Sequence, residues 1–476
     1  MNAPIVRLFV LFVVLFAVLV AFTSRWTVFE AASLRDNPDN RRQLIEEARV
    51  KRGRVTSRDG TLLARSVPAG AGTYTRRYPE RQLFSQTLGY AFTNLGRAGT
   101  EQEYNPFLTG EKQGEVDSVL EQLQGKSSEG DDLRLNLDPQ AQRVAVAQLG
   151  GRRGAIVAME PRSGKVRVIA SVPQYDPNDV DSRFRRLNRE PGSPLLNRVT
   201  QAGYKPGSTM KVVTASAAID TGRYEPGSTL DGRSPQTFGG VPLKNFGNQS
   251  FGTIDLTQAL TQSVNTVWAR VGTDLGIGTM ARYMQRFGFY DEPPMDYPRS
   301  QMRPSGEFNR RGRLLDPRSR RIDVARMSIG DESQLAVTPL QMATVAATIG
   351  NGGVRMEPRL GDRVTDRDGR EVEDVEPVEA ERVVSRRTAQ QVTEMMANVV
   401  REGSGTAAAL EGVEVAGKTG TAEKDPGRRV NQVWFIGFAP RKNPKMAVAV
   451  TIETVVGGTG GEVAAPIAKR VLESLL

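Results

Sequence analysis

Ser208 and Lys211 stand three residues apart in the stretch KPGSTMKVV, directly after a Pro-Gly pair. In a helix that starts at this turn, positions i and i+3 share a face, so the amine can approach the hydroxyl. The first N–H groups of such a helix have no partner within it and can hold an oxyanion. A lysine acts as a base only when neutral, which requires burial or neighbouring cations. The apolar residues after Lys211 (VVTASAAI) offer a partly desolvated setting. The chain contains no cysteine and no histidine. That excludes thiolate nucleophiles, disulfides, the Ser-His-Asp triad and His- or Cys-bound metals, and leaves the redox compartment undetermined. A nucleophilic serine here needs another activator.

A capped core helix with an incidental lysine would also explain the pair, since about one chance Ser-x-x-Lys is expected in a chain this long. Two further triplets add to it. Ser263–Asn265 reads SVN and Lys418–Gly420 reads KTG, and each pattern occurs once. They follow Ser208 in order, 55 residues from Ser208 to Ser263 and 155 from Ser263 to Lys418. Taken singly, SVN suits a helix-to-loop cap and KTG a turn or edge strand.

The elements that must position these residues follow from periodicity. Asp138 can cap a helix with Pro139 at its first position, and the apolar spacing runs to Leu149. Residues 154–171 form two apolar runs joined at 161–164, a β-hairpin. Helical spacing occupies 210–219, 256–271, 339–349 and 388–400. Strand patterns return at 413–421, 432–438 and 446–454, before a closing helix near 464–475. Strands at both ends with helices between predict an α+β unit, an antiparallel sheet completed by the two chain ends with a helical block against it. Ahead of it, residues 25–135 form a separate unit with a hairpin at 53–64 turning at Asp59-Gly60, and the boundary falls just after the polar stretch QGKSSEGDD. The Pro- and Arg-rich stretch 293–320 and the acidic DRDGREVEDVEPVEAE read as solvated surface, with a turn at Asp368-Gly369. Trp434 reads as sheet packing.

At 476 residues with 38% hydrophobic content, the chain has room for two folded units and accessory segments. Its first 24 residues carry 15 consecutive apolar positions, Leu8 to Phe22, between Arg7 and Arg25. No Ala-x-Ala cleavage pattern follows, which favours an uncleaved membrane anchor over a signal peptide, with the bulk of the chain outside the cytoplasm. The net charge of +10 comes with scattered arginines and no nucleic-acid-binding motif. A solvated basic surface explains it, and anionic cell-envelope polymers would suit it.

Ser-x-x-Lys, Ser-x-Asn and Lys-Thr-Gly in this order resemble the signature of the penicillin-binding proteins and serine β-lactamases. The segments LLNRVTQAGYKPGSTMK, VTPLQMATVAATIGNGG, REGSGTAAAL, VAGKTGTAEK, WFIGFAP and GGEVAAPI extend the resemblance over residues 136–476. More loosely, RGRVTSRDGTLLA and GRAGTEQEYNPFLTG resemble the amino-terminal module of the class B, monofunctional enzymes, of the actinobacterial PbpA type. The resemblance implies three parts: a stub and transmembrane anchor (1–24), a non-catalytic pedestal or dimerisation-type α+β module (25–135), and a transpeptidase domain (136–476) built on a five-stranded antiparallel sheet with helices on both sides.

By resemblance, Ser208 attacks a peptide ending in D-Ala-D-Ala, Lys211 takes its proton and Ser263 relays a proton to the leaving D-alanine, although the acylation base is disputed within the family. Asn265 binds the substrate amide or orients Lys211, and Lys418, Thr419 and Thr421 bind the terminal carboxylate. Gly420 leaves room against the strand edge, and the backbone N–H groups of Ser208 and Thr421 form the oxyanion hole. No metal or other cofactor is implied. The implied partners are stem peptides, β-lactams and a SEDS-family membrane polymerase. Where relatives carry Gly-Gln-Gly, this chain has SIGDESQLAVTP, which leaves the groove near Gly330 open. A D,D-carboxypeptidase and a catalytically silent scaffold or β-lactam sensor are the alternatives.

Overall fold

The computed structural model describes residues 2–25, 41–111, 129–425 and 427–476. The expected boundary stretch lies partly outside these residues. Helix α1, Asn2–Ser24, continues the apolar run into its flanks and reaches 23 residues, roughly 34 Å at 1.5 Å per residue. Its Leu, Val and Phe side chains are exposed, and by length and composition it can cross a membrane.

The strands that organise the rest are, in chain order, Val55–Thr56 (β1), Leu62–Gly70 (β2), Thr73–Arg77 (β3), Asp132–Leu135 (β4), Gly154–Met159 (β5), Val166–Val172 (β6), Gly361–Thr365 (β7), Glu371–Asp374 (β8), Ala416–Asp425 (β9), Val430–Ala439 (β10) and Met446–Val456 (β11). The principal helices after α1 are Pro139–Leu149 (α2), Lys211–Asp220 (α3), Leu256–Thr261 (α4), Asn265–Arg286 (α5), Pro339–Gly350 (α6), Arg386–Arg401 (α7) and Ala465–Glu473 (α8).

The central sheet has the order β9-β10-β11-β5-β6, all antiparallel, so both ends of the carboxy-terminal unit complete it. Strands β5, β6, β10 and β11 read as largely apolar runs because both faces are covered, while edge strand β9 carries the Lys-Thr-Gly motif. Ala155, Val157 and Met159 join one core with residues of α3, α5, α6 and α7, while Ile156 and Ala158 join a second core with residues of α2 and α8. Helix α2 begins as expected: the Asp138 side chain accepts from the Ala141 N–H with Pro139 at the first position.

A second sheet, ordered β8-β7-β4-β1-β2-β3, holds the amino-terminal module. Its first two strands come from within residues 136–476, and β4 pairs with β1 on one side and β7 on the other. The acidic stretch is exposed surface for most of its length, as expected, and it also supplies the turn and second strand of a hairpin, with Gly369 at φ +80° in the turn. Every residue of β8 is exposed, so it carries no apolar alternation to read as a strand.

The 293–320 stretch also differs from the expectation of solvated surface. Met295, Tyr297 and Met302 are buried, and so is the carboxyl of Asp296. Asp296 accepts from the Tyr104 hydroxyl of the amino-terminal module and from the N–H groups of Leu360 and Gly361. The Tyr297 hydroxyl donates to the carbonyl of Gln86. This stretch is therefore part of the contact between the two units, while Pro294, Arg299, Ser300 and much of its later portion are exposed.

Candidate active site

The nucleophile turn is tighter than a plain helix start. Gly207–Met210 forms a 3₁₀ turn that passes into α3 at Lys211. Gly207 has φ +53°, and its N–H donates to the Gly330 carbonyl at 3.1 Å. Gly330, in the stretch where relatives carry another motif, has φ +75°, and a Cβ there would lie 2.0 Å from the Gly207 oxygen. Glycine is required at that contact.

The single helix expected over 256–271 is two helices. They are interrupted between Thr261 and Asn265, and Ser263 takes φ +57° in the break. A non-glycine residue in this region is strained, and such strain concentrates at functional sites. Here it turns both the carbonyl and the hydroxyl of Ser263 toward Lys211. The Lys211 amine lies 2.9 Å from Ser208 Oγ, 2.7 Å from Ser263 O, 3.2 Å from Ser263 Oγ and 2.7 Å from Asn265 Oδ1. Lys418, on edge strand β9, donates to Ser263 Oγ at 3.0 Å and to the Thr419 carbonyl at 3.0 Å. Ser208, Lys211, Ser263, Asn265 and Lys418 thus form one connected set from three distant stretches of chain.

Counting hydrogens assigns the direction of these bonds. A neutral amine has two N–H donors and one lone pair. The carbonyl of Ser263 can only accept. Asn265 presents its oxygen because its Nδ2 is occupied by the Lys244 carbonyl at 3.0 Å. Those two acceptors take both hydrogens of a neutral Lys211, which leaves its lone pair for a hydroxyl, and Ser208 Oγ at 2.9 Å is nearer than Ser263 Oγ at 3.2 Å. Both lysines are fully buried. Burial, then the neighbouring charge of Lys418, holds the Lys211 amine well below its ordinary value, with the Asp331 carboxylate pulling weakly the other way. Burial alone pushes Lys418 down to about 7.

The remaining expected residues lie on the same strand. The Thr419 hydroxyl pairs with Ser404 Oγ at 2.6 Å, and Thr421 Oγ1 accepts from the Gly460 N–H at 3.1 Å. That second bond leaves the Thr421 proton free for an anion. A Cβ on Gly420 would meet the Pro206 carbonyl at 2.8 Å, so the close approach its missing side chain permits in the folded chain is that of the nucleophile turn. The same packing sets the Gly207 backbone against that of Thr421, with a Gly207 Cβ 3.2 Å from the Thr421 nitrogen.

Several contributors carry no motif. Trp434 is core, as expected, yet its indole N–H also donates to the Lys205 carbonyl at 2.8 Å and steadies the turn ahead of Ser208. A buried indole needs an acceptor, which is the one sequence signal for that role. Gly330, Ser404 and Gly460 act through backbone approach or single hydrogen bonds, and the Lys244 carbonyl could come from any residue. Among the described residues no group of three or more His, Cys, Asp or Glu is placed to hold a metal ion.

The model of the penicillin-binding protein transpeptidase domain matches residues 154–473, and that of the penicillin-binding protein A dimerisation domain matches residues 52–133. The peptidoglycan D,D-transpeptidase PbpA of Mycolicibacterium smegmatis is 34% identical, over all of this chain and 99% of that one. The chain belongs to the penicillin-binding protein transpeptidase family. PbpA of Mycobacterium tuberculosis is 33% identical over the same shares. Solved structures agree with this membership. The ceftriaxone acyl-enzyme of M. tuberculosis penicillin-binding protein A superposes with a TM-score of 0.82 at 29% identity, covering 91% of this chain and all of that one. The D,D-transpeptidase domain of an Eggerthella lenta enzyme gives 0.78 at 32% identity, covering 90% and 98%.

Proposed function

We propose that this protein is a peptidoglycan D,D-transpeptidase that cross-links stem peptides through a serine acyl-enzyme and is acylated at the same serine by β-lactams. The observation that carries the reading is the Lys211 amine, buried, faced by the Ser263 carbonyl and the Asn265 amide oxygen as acceptors and 2.9 Å from Ser208 Oγ. Lys211 takes the Ser208 proton as Oγ attacks the carbonyl of the penultimate D-alanine. The oxyanion forms beside the N–H groups of Ser208 and Thr421, an arrangement worth roughly 2.7–4 kcal/mol per donor in comparable sites. Ser263, between the two lysines, passes a proton to the departing D-alanine nitrogen as the C–N bond breaks. Lys418 with Thr419 and Thr421 holds the terminal carboxylate, and Asn265 fixes Lys211. An acceptor amine then attacks the ester, and Ser208 recovers its proton.

The same reading makes residues 1–24 a single-pass anchor, 25–135 a pedestal and 136–476 the catalytic domain, held outside the cytoplasmic membrane. Likeness to class B enzymes supports a further partner, a SEDS-family polymerase met through the anchor and pedestal.

Mass spectrometry of products from a D-Ala-D-Ala peptide or thioester analogue with an amine acceptor tests the reaction. Cross-linked product is expected, and a water-only product would make the enzyme a carboxypeptidase. Ser208→Ala is expected to lose covalent labelling by fluorescent penicillin while remaining folded. Labelling that persists in the folded variant refutes the assignment of the nucleophile.

A further inference from the structure

Residues 309–321 read NRRGRLLDPRSRR and hold six arginines against one acid, Asp316. The surplus of five charges is half of the chain's net +10. All six guanidinium-bearing residues, Arg310, Arg311, Arg313, Arg318, Arg320 and Arg321, are exposed.

The loop's backbone is held, while its charges are not spent. Asn309 Oδ1 accepts from the N–H groups of Arg311 and Arg313, Asp316 Oδ1 from that of Arg318, and Ser319 Oγ from that of Arg321. The base is clamped by a bridge between Phe308 and Leu314 and by the Leu315 N–H donating to Glu307. Several surface arginines elsewhere pair with carboxylates, Arg441 with Glu394 and Glu414, Arg286 with Glu381, Arg401 with Glu394, while others such as Arg185, Arg186 and Arg189 do not among the described residues. None of the six loop arginines lies in an ion pair among the described residues, although Asp316 and Asp323 are close in sequence and Asp323 pairs instead with Arg326. Unneutralised guanidinium groups carried on a hydrogen-bonded backbone fit a polyanion.

The loop also adjoins the catalytic cleft. Phe308 donates to Gln334, and the Gly306–Glu307 strand pairs with Leu335–Ala336, a few residues beyond Gly330, which touches the nucleophile turn. Arg326, on the short helix after the loop, reaches the Pro242 carbonyl, in the segment whose Lys244 carbonyl orients Asn265.

We infer that loop 309–321 docks the uncross-linked peptidoglycan strand itself, through the carboxylates of its stem peptides, so that neighbouring stems are presented to Ser208. This rests on the transpeptidase reading. It extends recognition beyond the single D-Ala-D-Ala terminus to the polymer, and a small substrate does not use it.

The test compares full-length enzyme in detergent with a variant carrying Arg310→Gln, Arg311→Gln and Arg318→Gln, and with the matching Arg→Lys variant. Two substrates are used: soluble uncross-linked strands with D-Ala-D-Ala stems, and a small thioester analogue. For the Gln variant, kcat/KM on strands is expected to fall about tenfold, with the thioester within about twofold and the Lys variant close to wild type. Between about 50 and about 200 mM NaCl, the wild-type rate on strands is expected to fall more steeply than that of the Gln variant. Equal losses on both substrates, or no loss on strands, overturn the inference. So does loss of binding to vesicles of anionic phospholipid with strand kinetics intact, which would assign the loop to the membrane surface. Should wild type turn over neither substrate, the transpeptidase reading fails separately. Co-sedimentation with insoluble strands then decides the loop: retention by wild type and release of the Gln variant supports it, and equal retention overturns it.

Discussion

Gly330→Ala tests whether the nucleophile is placed by a contact outside the three motifs. At Gly330 an added Cβ would lie 2.0 Å from the Gly207 oxygen and 2.8 Å from the Gly207 nitrogen, where real Cβ contacts stay beyond 3.0 Å. The neighbours are backbone, so no side chain can swing aside. The turn before Ser208 must retreat by about 1 Å, and displacements of that size at a reacting group cost about 10²-fold in rate. The left-handed conformation costs an alanine about 1–2 kcal/mol, and the overlap about 1–3 kcal/mol more. At about 2–4 °C per kcal/mol, the midpoint of thermal unfolding should drop by roughly 4–20 °C. The assay is the second-order rate of acylation by fluorescent penicillin, measured well below the variant's own midpoint, beside a circular-dichroism melt. Gly369→Ala is the control: its φ is +80°, but nothing lies within 4 Å of the added Cβ, so it should lose about 1–2 kcal/mol and no acylation rate. A folded Gly330→Ala protein that acylates as fast as wild type refutes the reasoning.

Three further outcomes follow from the site and the interface. Before a carboxylate binds, Lys418 loses its charge as pH rises through about 7, so acylation by a carboxylate-bearing penicillin should decline above that pH relative to its methyl ester; a pH-independent ratio of the two refutes the role of Lys418. Asn265→Asp puts a carboxylate at the 2.7 Å contact with Lys211, which favours the ammonium and raises its pKa. Each tenfold gain in the amine's proton affinity lowers the neutral fraction near pH 7 about tenfold, so acylation should fall there and recover on the alkaline side, and a loss that no pH restores counts against the base assignment. Tyr104→Phe removes the hydroxyl that donates to buried Asp296. It should lower stability by about 1.5–3 kcal/mol in thermal melts with the acylation rate unchanged, and an unchanged melt would show that this bond does not join the two units.

What the sequence disclosed follows from which interactions leave a pattern. Strands β5, β6, β10 and β11 are legible because two helical layers demand apolar residues at every position, and α2 is legible because Asp138 and Pro139 mark its start. The break at 262–264 is hidden, since the apolar spacing continues through it and only the backbone of Ser263 departs. Strand β8 is hidden because both its faces meet solvent. Asp296 is hidden because one buried acid in a Pro- and Arg-rich stretch looks like its exposed neighbours until Tyr104 and the Leu360 and Gly361 N–H groups close around it. The three motifs contain every side chain hydrogen-bonded to Lys211 among the described residues. They could not identify Gly330, whose requirement comes from a backbone atom 123 residues away in the chain.

Chemistry with a lysine base explains why the three motifs come together. In a chain without histidine, the amine must be neutral near physiological pH, and an exposed lysine titrates near 10.4. Burial lowers it, but a buried amine still needs acceptors for its hydrogens, and a carboxylate acceptor would restore the charge that burial removed. The Ser263 carbonyl and the Asn265 amide oxygen meet that need with uncharged acceptors. Lys418 adds a second effect: its charge opposes protonation of Lys211. On the proposed reading, the arriving substrate carboxylate pairs with Lys418 and keeps it as the ammonium, its negative charge offsetting that of Lys418 at Lys211, so burial continues to hold the amine low. The Ser263 hydroxyl lies between the two amines. The positive φ of Ser263 in this break aims its carbonyl at Lys211, which donates to it at 2.7 Å, whereas a helical residue there would carry its carbonyl along the helix axis.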